Sequence, residues 1–294
     1  MADDARVRMS LGRCALAISL LTLPLQTAQA ATMISASATA FLSDVRLASG
    51  ATATLTPAGA ATGTAPPAFS ESTGPVSYSG RLDVGPVATG PLYLSFGANS
   101  LTSSAQGDTE SPAGSASTML AFAGFGLLVA QTVTRDSDFA SFSASALGST
   151  TTFDGANFVG TSNVTELYVN RDNRDPVFYS DAATSFAPNT IVWDRDGHRV
   201  VLNEQILTEN MSGDAFVRSL TTNALHIRFT GYAIPGSALS GDVIAGQSRV
   251  SVSTTADVPE PATWAMMMLG FGLIGATIRR RGVSPPALAR TSAR

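Results

Sequence analysis

Large apolar and β-branched residues come in short bursts along this chain, and most bursts alternate with polar positions instead of recurring every three or four residues. Val76–Val84, Leu92–Phe96, Ala121–Thr134, Phe139–Leu147, Val164–Asn170, Arg199–Leu207, Ala224–Ile234 and Val243–Ser253 fit this pattern, as in Leu225-His226-Ile227-Arg228-Phe229. Period-two alternation buries one face of an extended strand, so each segment is predicted as β. Turn formers separate them: Gly85-Pro86, Gly90-Pro91, Asp154-Gly155, Asp175-Pro176, Asp196-Gly197 and Pro235-Gly236. No helical apolar period persists between residues 31 and 257. The expected fold is therefore all-β, a β-sandwich or β-rich layered domain. Met119 to Ala130 is an apolar or small run too short to span a bilayer, and is expected as a buried strand pair or central strand. Residues 48–73, dense in Ala, Thr, Gly, Pro and Ser, are expected as a loop within the domain.

The two ends break the pattern. Arg6, Arg8 and Arg13 precede an apolar stretch from Cys14 to Leu25, and Ala28-Gln29-Ala30 supplies small residues for signal peptidase. Residues 1–30 are thus expected to be a signal peptide cleaved after Ala30, with Met9 an alternative start. At the other end Val258-Pro259-Glu260-Pro261 leads into an uncharged run from Trp264 to Ile278, closed by Arg279-Arg280-Arg281. The prolines hold the peptide extended and deny backbone donors, presenting it to a processing enzyme. The 262–278 segment is expected as a transmembrane helix, with Trp264 at the interface and the arginines on the cytoplasmic side, leaving 282–294 as a short cytoplasmic tail. Its uncharged stretch covers only about 22 Å as a helix, against about 30 Å of hydrocarbon. The Gly270-x-Gly272-x-x-Gly275 spacing mimics a dinucleotide fingerprint, but no strand precedes it.

Charge narrows the function classes. All 18 basic residues are arginine, and residues 31–257 hold ten of them against 19 acids, a net charge of −9. That balance argues against nucleic acid as a partner. Cys14, the sole cysteine, lies in the leader, so the mature chain is expected to have no disulfide and no Cys nucleophile.

Pro259-Glu260-Pro261-x-x-Trp264-Ala265-Met266-Met267, then Gly270-Phe271-Gly272, then Arg279-Arg280-Arg281, resembles the PEP-CTERM sorting signal in its PEPxxWA form, a motif also labelled the ice-binding protein C-terminal domain. The resemblance covers about 24 residues, Val258 to Arg281, with order and spacing intact. It implies recognition by an exosortase, an integral-membrane cysteine transpeptidase, and cleavage near Pro-Glu-Pro. It further implies a Gram-negative host that makes exopolysaccharide, and a route through transient inner-membrane anchoring to the cell surface or extracellular matrix.

A softer resemblance runs through the middle. Gly124-Phe125-Gly126-Leu127-Leu128 with Ser141–Leu147 behind it, Thr165–Asn170, Val200–Gln205, Asn223–Ile227 and Asp242–Ser248 are similar, in that order, to the choice-of-anchor P family. This implies an adhesin-like or matrix-associated domain whose activity is unknown.

Few residues suggest chemistry. The chain has two histidines, His198 and His226, and His226 shares a strand face with Arg228, which fits an exposed structural side chain better than a base. No Gly-x-Ser-x-Gly elbow is present. Asp194-Arg195-Asp196-Gly197 starts like a calcium loop, with Asp194 and Asp196 as candidate ligands and Asp172 and Asp175 as possible additions in space. The spacing then breaks, so the pattern favours a plain Asp-Gly hairpin turn between two strands over a calcium loop. No cofactor is expected, with Ca2+ the one candidate. Thr52, Thr54 and Thr150 to Thr152 are isolated and do not make the flat repeated array that ice binding requires.

The expectation is a non-enzymatic exported protein with exosortase, signal peptidase and the secretion machinery, the membrane and exopolysaccharide as partners. The alternative is a secreted carbohydrate-binding module or hydrolase acting on exopolysaccharide, for which Tyr168, Phe178, Tyr179 and Trp193 are candidate aromatic platforms.

Overall fold

A computed structural model of the protein describes residues 32–87, 90–129, 137–171, 177–178, 184–234, 236–255 and 261–281. Two compact units result, one spanning Thr32–Thr255 and one containing the C-terminal helix. In the first the chain runs β1 (Thr32–Leu47), β2 (Thr52–Ala58), β3 (Ala61–Ala65), β4 (Phe69–Val87), β5 (Gly90–Asp108), β6 (Ala113–Val129), β7 (Ser137–Phe153), β8 (Phe158–Thr165), β9 (Tyr168–Arg171), β10 (Val177–Phe178), β11 (Thr184–Ser185), β12 (Thr190–Arg195), β13 (His198–Ser212), β14 (Ala215–Ile234) and β15 (Ser237–Thr255). The second holds α1 (Pro261–Arg281).

The strands form two antiparallel sheets. Sheet A has the order β12-β13-β14-β15-β1-β2, with β3 sharing the β1 edge; sheet B has the order β10-β9-β7-β6-β5-β4, with β8 and β11 extending the β7 side. Strand β1 faces β5 and β6, β15 faces β6 and β7, and β14 faces β7 and β8, so the sheets stack as an aligned sandwich. The first and last strands of this unit pair from Thr32 opposite Thr254 to Leu47 opposite Leu239, with one lapse at Ala40.

One irregularity organises the interior. In β1 the buried positions run Ile34, Ala36, Ala38 and Ala40, then shift phase to Phe41, Ser43, Val45 and Leu47. The same shift falls at Asn203 in β13, Ala224 in β14 and Gly246 in β15, and ladder pairing lapses along this one cross-strand row. Asn203 and Gly246 take left-handed backbone there, with φ of 49° and 67°. Sheet B shifts along a matching row, Asn99, Phe122, Ser145 and Glu166, where Phe122 and Glu166 have φ of 52° and 51°. Because all neighbouring strands shift together, register survives while every inward face changes phase.

The shift divides the core. On one side Phe41, Leu92, Leu94, Leu120, Leu147, Leu202, Leu225 and Phe229 build a large apolar cluster. On the other Ile34, Ala36, Ala38, Ala105, Ala116 and Val250 build a smaller one dominated by alanine. Between the sheets lies a seam of buried hydroxyls. Thr118 and Ser149 are 3.2 Å apart, Ser149 donates to Ser248 at 3.0 Å, and Thr151 lies 2.8 Å from both Thr222 and Ser248. Gln205 Nε2 adds a bond across the sheets to the Gly160 carbonyl at 2.6 Å. Hydroxyls this deep are tolerated because they satisfy one another. Thr151→Val keeps the shape but strands Thr222, while Ser248 keeps its bond from Ser149, and is expected to cost about 1–2 kcal/mol in urea unfolding. Ser162 is buried with no partner for its hydroxyl among the described residues, so Ser162→Ala is expected to leave stability unchanged or raised.

Six of the eight predicted strands lie inside observed ones; Ala121–Thr134 lies in β6 as far as Val129, with 130–134 outside the described residues, and Val164–Asn170 is split between the end of β8 and β9. Met119–Ala130 falls largely in the central β6. Residues 48–73, expected as a loop, instead form β2, β3 and the start of β4. Alternating Thr and Ala supply little side-chain signal, yet their backbones pair with β1 as well as any other residue.

The expected transmembrane helix is corrected. A helix does form over Pro261–Arg281, but no helix among the described residues is long and apolar enough to cross a membrane. Gly270, Gly272 and Gly275 interrupt the apolar stretch, Thr263 and Thr277 flank it, and three arginines end it. The transient inner-membrane stage that rested on such a helix has no support.

Candidate functional site

Among the described residues, the phase shift in sheet A assembles a dense group of ionisable side chains. Strict alternation along β13 would send residue 204 inward behind Val200 and Leu202. The left-handed backbone at Asn203 turns Glu204 onto the outer face instead, beside His226 of β14. Segment 186–189 stitches this bend: Asn203 Nδ2 donates to the Phe186 carbonyl at 2.7 Å, and Gln205 N donates to Asn189 Oδ1 at 2.9 Å.

His226 is 5% exposed, between two carboxylates on neighbouring strands. Its Nδ1 lies 2.7 Å from Glu204 Oε2, and its Nε2 lies 2.8 Å from Asp242 Oδ1 of β15. Arg228 Nε donates to the same Asp242 oxygen at 3.0 Å, Asn223 Nδ2 donates to Glu204 at 2.8 Å, and Gln247 Nε2 donates to Asn223 at 2.9 Å. Asp44 of β1 stands directly opposite Asp242 in register and lines, with Thr54 and Ile244, a shallow cavity of about 400 Å³ over the group.

Ionised carboxylates only accept hydrogen bonds, so while Glu204 and Asp242 are both ionised the two ring nitrogens of His226 must donate, which requires the imidazolium. Burial alone would depress its pKa, but the bonds and charges of Glu204 and Asp242 outweigh burial and raise it. Burial opposes ionisation of Glu204 too, yet His226 and Asn223 hold its pKa below the ordinary value. Asp242 is lowered likewise, against burial, by Arg228 and His226. The bond to Asp242 raises Arg228.

Two cations balance two anions, and the ring's bonding capacity is spent. The carboxylates sit at opposite nitrogens of one imidazole and share no point with it where a cation could bind all three. Among the described residues, no group of three or more His, Cys, Asp or Glu is placed to hold a metal ion. This arrangement clasps three adjacent strands; it offers no unengaged base.

His226 is therefore buried and ion-paired, which corrects its expected exposure. Strand periodicity placed it beside Arg228 but gave no cue to Glu204 or Asp242, which are brought in by the register of two other strands. His198 is a core residue stacked 5.2 Å from Phe229. Asp194 and Asp196 lie at the β12–β13 hairpin. Asp196 and Gly197 have φ of 53° and 75°, the two-residue turn in which both central residues are left-handed. Asp194 pairs with Arg199 at 3.7 Å. Asp172, Asp175 and Tyr179 lie outside the described residues. Tyr168 is exposed on β9 of sheet B, whereas Trp193 packs against the large core from sheet A, so the two do not form one platform. Phe178 lies in β10.

Of the sorting residues, Pro261 opens α1, Trp264 lies in its first turns, Gly270, Phe271, Gly272 and Arg279 are exposed, and Arg280 and Arg281 close it. Ala28, Ala30, Pro259 and Glu260 lie outside the described residues.

Comparison with curated proteins and with solved structures gives no match. A family model described as the PEP-CTERM protein-sorting motif matches residues 257–281. The chain thus carries a PEP-CTERM sorting motif, which supports exosortase-dependent sorting of an exported, cell-surface protein.

Proposed function

We propose that this is a non-enzymatic protein of the cell surface or extracellular matrix, associated with exopolysaccharide or biofilm in a Gram-negative host. In this reading the secretion machinery exports it, signal peptidase removes residues 1–30, and an exosortase processes the tail near Pro259-Glu260-Pro261. The sorting motif at 257–281 carries the reading. The pairing of Thr32 with Thr254 supports it, because the leader and the tail are joined to neighbouring ends of one strand pair. The non-enzymatic assignment draws on the ion-paired cluster, where His226 has no nitrogen left for a substrate. The adhesin-like role implied by the choice-of-anchor P resemblance belongs to the same proposal.

Mass spectrometry of the protein from its host, with and without the exosortase, tests this. The expected result is a C-terminus near Pro259–Pro261 in the wild-type strain and an intact one in the deletion strain. A C-terminus extending through Arg281 in both would overturn the sorting step.

A further inference from the structure

The outer face of sheet B, remote in sequence from the carboxylate cluster, carries a groove of about 580 Å³. It borders the phase-shift row, and its floor exists because side chains are missing there. Ser79, Gly97, Gly124 and Ser143 are register partners across β4, β5, β6 and β7, and the next row runs Arg81, Ser95, Gly126 and Ser141, with the Arg81 guanidinium drawn over the Tyr93 ring, 3.6 Å from its centroid, outside the groove lining. Phe122 stands at the edge, 65% exposed. A left-handed backbone disfavours a bulky side chain, and exposing a phenyl ring gains the fold nothing. The phase shift accounts for the backbone at 122 but not for an aromatic there. A solitary exposed apolar residue needs no explanation, but one forming the wall of a groove does.

The polar groups of the groove are equally specific. Ser77 Oγ donates to the Asn99 carbonyl at 2.7 Å. The Ser79 and Ser141 hydroxyls and the Asn99 side-chain amide, by contrast, make no hydrogen bond among the described residues and line the same space. Among the described residues no Asp, Glu, Arg or His lines it. An aromatic face, neutral donors and acceptors, and no charge together suit a ligand that has an apolar ring face and a rim of hydroxyls.

We propose that this groove binds a neutral pyranose chain, with Phe122 stacking on the C–H face of one sugar and Ser79, Asn99 and Ser141 bonding hydroxyls. The proposal rests on the matrix reading for its biological setting, but its chemistry stands on the groove alone.

Titration of the full chain with cellohexaose, laminarihexaose and mannohexaose, followed by calorimetry, provides the test. At least one is expected to bind with a Kd of about 1 mM or tighter. Phe122→Ala should weaken that binding by about tenfold or more without lowering Tm, since the ring is exposed. Gly124→Leu should do the same by filling the floor: a Cβ at Gly124 meets only the Phe142 carbonyl, at 3.7 Å, so the fold accommodates it. Binding of none of the three sugars, or wild-type affinity in either variant, would overturn the proposal. Neither outcome bears on the C-terminal processing measured by mass spectrometry, so the two readings fail separately.

Discussion

His226→Leu is expected to lower the unfolding free energy by about 3 kcal/mol, because it leaves Glu204, only 17% exposed, as a charge without its main partner. Asp242 keeps Arg228 and is 45% exposed, so it adds little to the loss. The pH dependence separates charge pairing from mere packing. His226 has its pKa raised above the ordinary 6.5, so its stabilisation is fully present below pH 6.5 and falls away as pH rises through the raised value. Glu204 and Asp242 are held below their ordinary 4.5 and 3.8, so their contribution is present above those values and falls away as pH drops through the lowered ones. The gap between wild type and variant should therefore be widest from pH 4.5 to 6.5 and narrow on both sides. Urea unfolding across that range measures it. A gap that stays flat from pH 4.5 into the alkaline range would mean that the ring contributes by packing and not by charge.

Gly246→Val is expected to cost a similar amount, about 3 kcal/mol, through a different cause. Its φ of 67° is left-handed, a strain of about 1–2 kcal/mol for a residue with a Cβ and more for a branched one. A Cβ there would also lie 3.1 Å from Ala224, 3.2 Å from Leu147 and 3.3 Å from Thr118 Oγ1, crowding a packed interior at the hydroxyl seam. Gly213→Val is the control, since its φ of 63° is similar but nothing lies within 4 Å. Equal losses in the two variants, read as Tm, would show that backbone strain alone sets the cost and that the seam is not tightly packed.

The strands legible in the sequence are those built of large residues, because period-two alternation of Leu, Val, Ile and Phe marks burial directly. Those segments surround the larger core. The halves that escaped notice, such as Ser103–Asp108 in β5, Gly148–Phe153 in β7 and residues 32–40 of β1, are built mainly of Ala, Ser, Thr and Gly. Such residues alternate too little in polarity to announce a buried face, yet they form the small core and the hydroxyl seam. Residues 41–47 of β1 went unread as well, although Phe41, Val45 and Leu47 enter the larger core. Asp196-Gly197 was legible as a hairpin, since its conformation is local.

What the sequence determined by itself was whatever depends on neighbours along the chain: the β character of residues 31–257, the Asp-Gly turn, and the sorting motif from Pro259 to Arg281, whose meaning lies in order and spacing. The tertiary structure decided the rest. The length of apolar run in α1 looked like a span until the whole helix was set against what a bilayer requires. Glu204, by alternation alone, belonged in the core, and His226 on the surface. A one-residue phase shift, made together by β1, β13, β14 and β15, put both on one face and brought Asp242 to the same ring. That shift is a collective property of paired strands, because no single strand can change phase without breaking register with its neighbours.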